Sequence, residues 1–265
     1  MPPILKNKNP LARSVFAPGA LLREARRQKG LPVEDVPPVC ILDPDGDIVR
    51  RLRKDGRAQA FKAWPCYHTE LDTFALGAHR AGIVGCAVGA PFAVLIAEEL
   101  FACGCRLLLS VTSSGQITAA GAPPYFIIID RALRDEGTSY HYAAPAEYAD
   151  GDPKLISLAR DATAGGNQKV LVGSTWTTDA PFRETAESIE AAKAQGILAV
   201  EMEAAALYAF ARASGTAVLC LAHVTNNMGQ SLNDFEKGAH DGTADALSLL
   251  EAISSLAHSR LLGAR

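Results

Sequence analysis

The stretch Arg106-Leu-Leu-Leu-Ser-Val111 decides the fold, because its apolar residues follow one another without the alternation of a half-buried strand. Such a run predicts a strand that is covered on both faces. A helical segment at 90–103 precedes it, and strand-like and helical segments recur along the chain. The other strand-like runs lie at 39–42, 74–76, 82–88, 125–129, 169–172 and 217–224, and the other helical segments at 153–165, 185–195, 202–214 and 234–258. This pattern predicts an α/β fold, a three-layer α/β/α sandwich with a central mixed sheet, whose sites lie where loops leave the carboxyl ends of strands.

Length and composition favour one globular domain with an N-terminal extension. The chain has 265 residues, of which 48% are hydrophobic and 21% are charged, as in ordinary globular proteins. Residues 1–38 are rich in Pro, Arg and Lys and contain one short helical patch at 18–27. We therefore expect an N-terminal arm at 1–38 that wraps a single domain at 39–265.

The charge balance favours a small-molecule partner. A formal net charge of −3 provides no basic surface for nucleic acid or an anionic membrane. No stretch approaches the roughly 20 apolar residues of a membrane span, and residues 1–10 lack an apolar signal core, so we expect a cytoplasmic protein. The six cysteines, at 40, 66, 86, 103, 105 and 220, lack the paired spacings of a zinc site, and we expect no metal.

Three strand ends carry polar residues. The first, Ser110-Val-Thr-Ser-Ser-Gly-Gln-Ile117, offers hydroxyls and flexible backbone that can donate to an anion or to sugar oxygens, although an ordinary Ser/Gly turn has the same composition. The second, Val200-Glu-Met-Glu203, precedes an Ala-rich helix start, where the helix dipole alone would favour acids. Alternation nevertheless turns one of these acids inward, and a buried carboxylate needs donors such as two sugar hydroxyls. The third is Leu221-Ala-His-Val-Thr-Asn-Asn-Met228, where a polar turn is the simple alternative.

These segments resemble a known family. Val200-Glu-Met-Glu-Ala-Ala-Ala-Leu-Tyr208 is similar to the signature of the nucleoside phosphorylase family, which contains uridine phosphorylase, hexameric purine nucleoside phosphorylase and the methylthioadenosine/adenosylhomocysteine nucleosidases. Gly85-Cys-Ala-Val-Gly-Ala-Pro-Phe-Ala-Val-Leu-Ile-Ala-Glu-Glu-Leu100 resembles the family's Gly-rich turn and following helix, and 106–117 resembles its strand and Thr/Ser-Gly loop. The resemblance implies that fold, a homo-oligomer such as a dimer or hexamer, and no cofactor besides inorganic phosphate as co-substrate.

The resemblance assigns sugar-binding roles. It implies that Glu203 binds the ribose 2′- and 3′-hydroxyls, that Met202 packs against the sugar, and that Glu201 lines the same pocket as a catalytic candidate. Ser113 stands where the family places a Thr or Ser that touches phosphate and ribose. His68 falls near a family segment that can enter a neighbouring subunit's site, although a lone histidine is more often a surface or core residue.

The resemblance also suggests how the base is held. Asn226 stands where purine-cleaving members keep an Asp that protonates N7, and an amide can hydrogen-bond the base but cannot act as a general acid. Together with Thr225 it favours a 6-oxopurine. Arg183 falls near the position of an Arg that contacts uracil in uridine phosphorylases, which leaves a pyrimidine open. Arg183 is thus a third catalytic candidate, beside Glu201 and Asn226. Trp176 or Phe182 could stack on a base, although packing between helix and sheet explains Trp176 equally well.

The phosphate site departs from the family. Acids fill Leu42-Asp-Pro-Asp-Gly-Asp-Ile-Val-Arg-Arg51, where the family has an anion-binding turn, and Ser110 stands where it has a phosphate-binding Arg. The remaining candidates for phosphate binding are Ser113, Ser114, Gly115, Gly46 and Arg50.

Three functions therefore stay open at this point. The first, which we favour, is a pentosyltransferase that cleaves a purine or pyrimidine ribonucleoside with phosphate, held by Arg50, Arg51 or Arg80. The second is a nucleosidase whose water is activated by Glu201 or Asp45, and the third is a non-catalytic nucleoside-binding protein.

Overall fold

The computed structural model describes residues 3–10, 12–228, 235, 237–238 and 240–263. Within them, ten strands form one mixed sheet. The strands are β1 Val39–Asp43, β2 Gln59–Ala60, β3 Asp72–Leu76, β4 His79–Gly85, β5 Leu107–Gln116, β6 Tyr125–Asp135, β7 Tyr148–Asp150, β8 Val170–Thr178, β9 Ala199–Glu201 and β10 Val218–Asn226. The α-helices are α1 Pro18–Lys29, α2 Asp47–Lys54, α3 Ala90–Ala102, α4 Pro153–Thr163, α5 Ala186–Ala194, α6 Ala204–Ser214 and α7 Thr243–Ala257.

Strand β5 is the centre of the sheet. The strand order is β10-β6-β8-β9-β5-β1-β4-β3-β2, and β10 also pairs with β5, so five of the strands form a closed ring. Strand β5 is parallel to β1 and β10 but antiparallel to β9. The predicted mixed sheet is confirmed.

The side chains of β5 alternate between two cores. Leu108 belongs to the core under α1, α3 and α6, whereas Leu107, Leu109 and Val111 belong to the core under α2, α4 and α7. Both faces of the strand are therefore covered, which confirms the interpretation of its unalternating apolar run and the three-layer architecture.

The predicted elements are present, with shifted ends. The strand predicted at 82–88 ends at Gly85, because Cys86 adopts a positive φ of 62° that breaks the extended backbone. The helix predicted from 234 begins at Thr243, after Gly242 in the left-handed region; residues 229–234, 236 and 239 lie outside the described residues.

The sequence predicts a turn at residues 42–51, whereas the structure has helix α2 from Asp47 onward. The turn is confined to residues 44–46, and the helix then starts after Gly46, whose φ is 78°. Ile48, Val49 and Leu52 stabilise α2 because they share one face and are buried against the sheet. The short strands β2, β7 and β9 were also missed.

The N-terminal segment packs against the body through α1. Leu22 and Ala25 are buried, and α1 lies against α3. The division of the chain at residue 38 stays a prediction. Among the described residues, no helix combines the length and apolar character that a membrane crossing requires.

Candidate active site

The three polar strand ends meet at one edge of the sheet. Ser113 of β5 pairs with His223 of β10, and Gly115 lies beside Asn226. On its other side, Gly115 pairs with Val200 of β9, immediately before the two glutamates. Segments that are 85 to 111 residues apart in sequence are therefore neighbours in the fold, as the predicted architecture requires.

One side of β5 has a gap in its pairing. Ser110 is the last residue that pairs with β1, at Leu42, and Gly115 is the first that pairs with β9. Residues 111–114 between them pair with β10 on the other side only, as far as the described strands extend. Backbone groups in this gap are available to a ligand or to a side chain.

Glu203 has a buried carboxylate with one unused oxygen. Its side chain is 1% exposed, and its Oε1 accepts a hydrogen bond from the backbone N–H of Gly89 at 2.7 Å. The Oε2 atom has no hydrogen-bond partner among the described residues. Burial, followed by the nearby Glu201, raises the pKa of Glu203 to about 8, although the Gly89 amide and the Thr112 hydroxyl oppose the rise. A ligand with two hydroxyl donors would satisfy this carboxylate and favour its charged form.

Glu201 is engaged by the protein itself. Its Oε1 accepts from the hydroxyls of Thr175 at 3.1 Å and Thr177 at 2.5 Å, and its Oε2 accepts from the N–H groups of Glu203 and Ala204, both at 2.7 Å. Burial raises its pKa, and these four donors oppose the rise. We infer that Glu201 carries the negative charge of the pair, whereas Glu203 carries the proton while the site is empty. The described contacts make Glu201 an anchor for the start of α6, and its catalytic role stays a prediction.

Asn226 is held in one orientation. Its Nδ2 donates to the Thr225 hydroxyl at 3.1 Å, and its Oδ1 accepts from the backbone N–H of Met228 at 2.8 Å. The Thr225 hydroxyl also lies 3.3 Å from the Ser113 hydroxyl. Because each end of an amide can make two hydrogen bonds, one donor and one acceptor of Asn226 remain after its contacts with the described residues.

Gly115 allows close packing beside this amide. A Cβ atom at position 115 would clash with the sulfur of Met228 and lie 3.2 Å from Asn226 Oδ1. Next to it, Ser114 is buried and its Oγ lacks a hydrogen-bond partner among the described residues.

The turn after β1 presents negative charge to the gap in β5. Asp45 Oδ2 accepts from the backbone N–H of Ser113 at 2.7 Å. Arg50 donates to the Asp45 carbonyl at 2.8 Å and to Asp47 Oδ1 at 2.6 Å. Burial, with the nearby acids, raises the pKa of Asp43 to about 7. Two of the predicted phosphate contacts, the Ser113 backbone and Arg50, are thus paired with groups of the same turn, and Gly46 packs against the Arg50 guanidinium.

Two alternative phosphate-binding arginines lie elsewhere. Arg51 donates to Asp55 at 2.7 Å along α2. Arg80 donates to Thr73 at 2.8 Å, near the end of β4 that is remote from Cys86. Arg51 also lies 3.1 Å from the His240 ring. The recruitment of either arginine to phosphate stays a prediction.

The remaining predicted residues are dispersed. Met202 is half-buried between the two glutamates, whereas His68 lies between β2 and β3 at the far edge of the sheet. Trp176 is buried in a small apolar cluster with Val200 and donates to Asp135 at 3.0 Å. Phe182 is exposed, and Arg183 ends a short 3-10 helix; no hydrogen bond within the described ranges joins either to Glu203. Their roles stay predictions.

Sequence reasoning missed the groups that position the glutamates. The hydroxyls of Thr175 and Thr177 and the amide of Gly89 come from β8 and from the turn before α3. The only signal was Gly89-Ala-Pro91, since a glycine before Pro at a helix start leaves free N–H groups at that end.

The chain is similar to proteins of one known family. A family model described as the phosphorylase superfamily matches residues 38–255. A guanosine phosphorylase of Halorubrum lacusprofundi is 27% identical over 141 residues, which are 53% of this chain and 58% of that protein. A DeoD-type purine nucleoside phosphorylase of Myxococcus xanthus is 30% identical over 168 residues, covering 60% of this chain and 68% of that protein. The chain spans 58% to 64% of the first curated relatives it matches.

Solved structures share the fold. A uridine phosphorylase from Vibrio fischeri in complex with 6-hydroxy-1-naphthoic acid superposes with a TM-score of 0.73 at 20% identity, covering 87% of this chain and 98% of that one. A purine nucleoside phosphorylase from Toxoplasma gondii in complex with immucillin-H gives a TM-score of 0.72 at 15% identity, covering 85% and 92%.

Proposed function

Because this chain belongs to the phosphorylase superfamily, we propose that it is a pentosyltransferase that cleaves the N-glycosidic bond of a purine or pyrimidine ribonucleoside with inorganic phosphate. The names of its relatives, guanosine phosphorylase and purine nucleoside phosphorylase, support the reaction class.

One observation carries the proposal. Glu203 is buried with one oxygen bound to the Gly89 amide and the other without a partner among the described residues. Such a carboxylate is costly to bury unless a ligand supplies donors. The vicinal 2′- and 3′-hydroxyls of a ribose are a matching pair, since each can donate to one carboxylate oxygen. The half-buried Met202 beside it provides an apolar wall for the sugar ring.

The chemistry follows from charge development. As the glycosidic bond breaks, positive charge builds on the sugar and negative charge on the departing base. Ribose hydroxyls convert Glu203 to its charged form, which stabilises the cationic sugar from the hydroxyl side. Glu201 acts through Glu203 as a positioning residue, because it fixes the backbone of Glu203 by accepting from its N–H. Metal and organic cofactors are not part of this proposal, and phosphate is a co-substrate.

Asn226 is proposed to hold the base. Its remaining donor and acceptor suit the N7/O6 and N1–H edges of a 6-oxopurine, and Thr225 fixes the amide's orientation. In this assignment Asn226 stabilises the departing base by hydrogen bonding rather than by full proton transfer. Phe182 and Arg183, in the short 3-10 helix after β8, stay proposed base contacts that would require this loop to close over the site. Trp176, buried within β8, stays a proposed stacking contact.

Phosphate is proposed to bind in the gap of β5, at the backbone of Ser113, Ser114 and Gly115 and next to Gly46 and Arg50. A second candidate function is hydrolysis of the same bond, and it is favoured by the Asp45 carboxylate on the Ser113 N–H, where an entering phosphate would need a donor. Base release with and without phosphate separates the two, because equal rates would exclude phosphorolysis.

The cellular and assembly proposals rest on the family. We propose a cytoplasmic homo-oligomer, a dimer or hexamer, that binds nucleoside and phosphate and neither nucleic acid nor membrane. His68, at the far sheet edge, is proposed to reach a neighbouring subunit's site. The N-terminal arm, residues 1–38, is proposed to be an extension to a single domain at 39–265.

A nucleoside panel tests the function. Release of free base from inosine, guanosine, adenosine and uridine is measured with phosphate present, for the wild type and for Glu203→Ala. We expect turnover of at least one nucleoside, its loss in Glu203→Ala, and little change in binding of the free base. Glu190→Ala, an exposed acid on α5, is the matched control. Unchanged turnover in Glu203→Ala would remove the ribose assignment.

A further inference from the structure

We propose that Asp45 sets how tightly this chain binds phosphate, because its carboxylate occupies the backbone donor that an entering anion needs. This inference rests on the proposed function for the location of the anion, and on contacts of this chain for the role of Asp45. Position 45 thereby becomes the residue that selects between an anionic and a neutral nucleophile.

The first step is the position of the donor. Ser113 lies between the last β5 residue paired with β1, Ser110, and the first paired with β9, Gly115. Its N–H therefore has no strand partner on that side within the described sheet, and it donates instead to Asp45 Oδ2 at 2.7 Å. Asp45 is 68 residues away in sequence, so this hydrogen bond is a tertiary contact between the turn after β1 and strand β5.

The second step is the state of the nearby cation. The Arg50 side chain is 58% exposed, and its guanidinium donates to Asp47 and to the Asp45 carbonyl. Lys237 donates to the other Asp47 oxygen at 2.5 Å. The two described cations that contact the turn, Arg50 and Lys237, are therefore already paired with the protein's own oxygens.

The third step is the competition. A phosphate that approaches the Ser113 N–H must displace a carboxylate with an equivalent hydrogen bond, and it also meets the repulsion of Asp45 and Asp47. Water meets no such repulsion and can accept or donate beside the carboxylate. Removing the Asp45 carboxylate frees the donor and leaves Arg50 with one fewer competing acid nearby, so phosphate affinity should increase.

The experiment measures phosphate binding directly, by calorimetric titration of the full chain with inorganic phosphate in the absence of nucleoside. The variants are Asp45→Ala, which removes the acceptor, and Asp45→Asn, which keeps an acceptor but removes the charge. Asp55→Asn is the matched control, since Asp55 is an acid at the end of α2 that pairs with Arg51 and has no contact with Ser113. Circular dichroism verifies that each variant is folded.

We expect Asp45→Ala to bind phosphate about tenfold or more tightly than the wild type, as a freed bond between an N–H and a charged group implies. Asp45→Asn should fall between the two, and Asp55→Asn should stay within about twofold of the wild type, as expected for an exposed charge. Unchanged or weaker phosphate binding in Asp45→Ala would overturn the proposal. So would an equal gain in Asp55→Asn, which would assign the effect to overall charge. Because the titration needs no turnover, a protein that cleaves no nucleoside would refute the proposed function without changing this result.

Discussion

Replacing Glu203 with Gln should stabilise the empty protein while it removes activity. Glu203 is 1% exposed, and burial beside Glu201 raises its pKa to about 8 from the ordinary glutamate value of 4.5. At pH 7 the folded state therefore holds a proton that the unfolded state has released. Holding that proton lowers the free energy of unfolding by about 1.4 kcal/mol for each pH unit above the unfolded pKa. At pH 7 the total cost is about 3 kcal/mol.

The sign gives the pH window. A carboxyl group whose pKa is raised on folding lowers stability as pH rises from its unfolded pKa, and the loss levels off above its folded pKa. The wild type should thus lose stability relative to Glu203→Gln between about pH 4.5 and pH 8. Gln retains an oxygen that can accept from the Gly89 N–H, so the existing hydrogen bond is kept. Because Glu201 and Glu203 titrate as a pair, part of this protonation cost belongs to Glu201. We therefore expect Glu203→Gln to be more stable than the wild type by about 1–3 kcal/mol at pH 7.

The assay is urea unfolding, followed by circular dichroism at pH 5, 6, 7 and 8, with Glu190→Gln as an exposed control. The advantage of Glu203→Gln in unfolding free energy should increase with pH. In a separate thermal melt at pH 7, its Tm should be higher by about 2 °C per kcal/mol. A variant that is less stable than the wild type at pH 8, or a difference that does not change with pH, would refute the protonated, unsatisfied state of Glu203.

Four further outcomes test other parts of the site. Nucleoside binding should release protons from Glu203 at pH 7, because hydroxyl donors lower its pKa. The heat of binding should then differ between two buffers of different ionisation enthalpy, and equal heats would contradict this prediction. Glu201→Gln should lower the free energy of unfolding in urea by about 3 kcal/mol, since buried donors lose their charged acceptor, and an unchanged value would exclude the anchoring role. Tyr208→Phe should cost about 1–3 kcal/mol, because its buried hydroxyl makes backbone hydrogen bonds, with kcat unaffected. Asn226→Asp should raise kcat for purine nucleosides toward acid pH by adding a group that can donate a proton, and a flat pH profile would argue against contact with the base.

The layers of the fold could be predicted from the sequence because they depend on local patterns. The unalternating run at 106–111 reflects a strand buried on both faces, and the runs in its parallel neighbours β1 and β10 are buried throughout as well. The run at 169–172 differs, because Val172 is 42% exposed. Helix α2 could not be predicted, because residues 43–47 contain the Asp, Pro and Gly that are typical of a turn. Only three apolar residues mark the short helix that follows.

The sequence points to the two glutamates but not to how each of them is hydrogen-bonded. The sequence singles out both Glu201 and Glu203, yet which of them is satisfied depends on Thr175, Thr177 and Gly89, which arrive from other elements. No local pattern contains that information. The same holds for Asp45, whose acidic neighbourhood was visible in the sequence while its partner on β5 was not.

The gap beside β5 separates what is hard to change from what is easy to change. The donor at Ser113 belongs to a strand whose position is set by β10 along its length and by β1 and β9 at the two ends of the gap. Its occupant, Asp45, sits in the short turn between β1 and α2, outside the sheet. Descendants of this chain could therefore exchange one nucleophile for another by substitutions in a single turn, with no rearrangement of the sheet. The stretch of β5 at residues 111–114, which is unpaired on one side within the described sheet, lets the occupant of the site change while the pairing of the sheet stays the same.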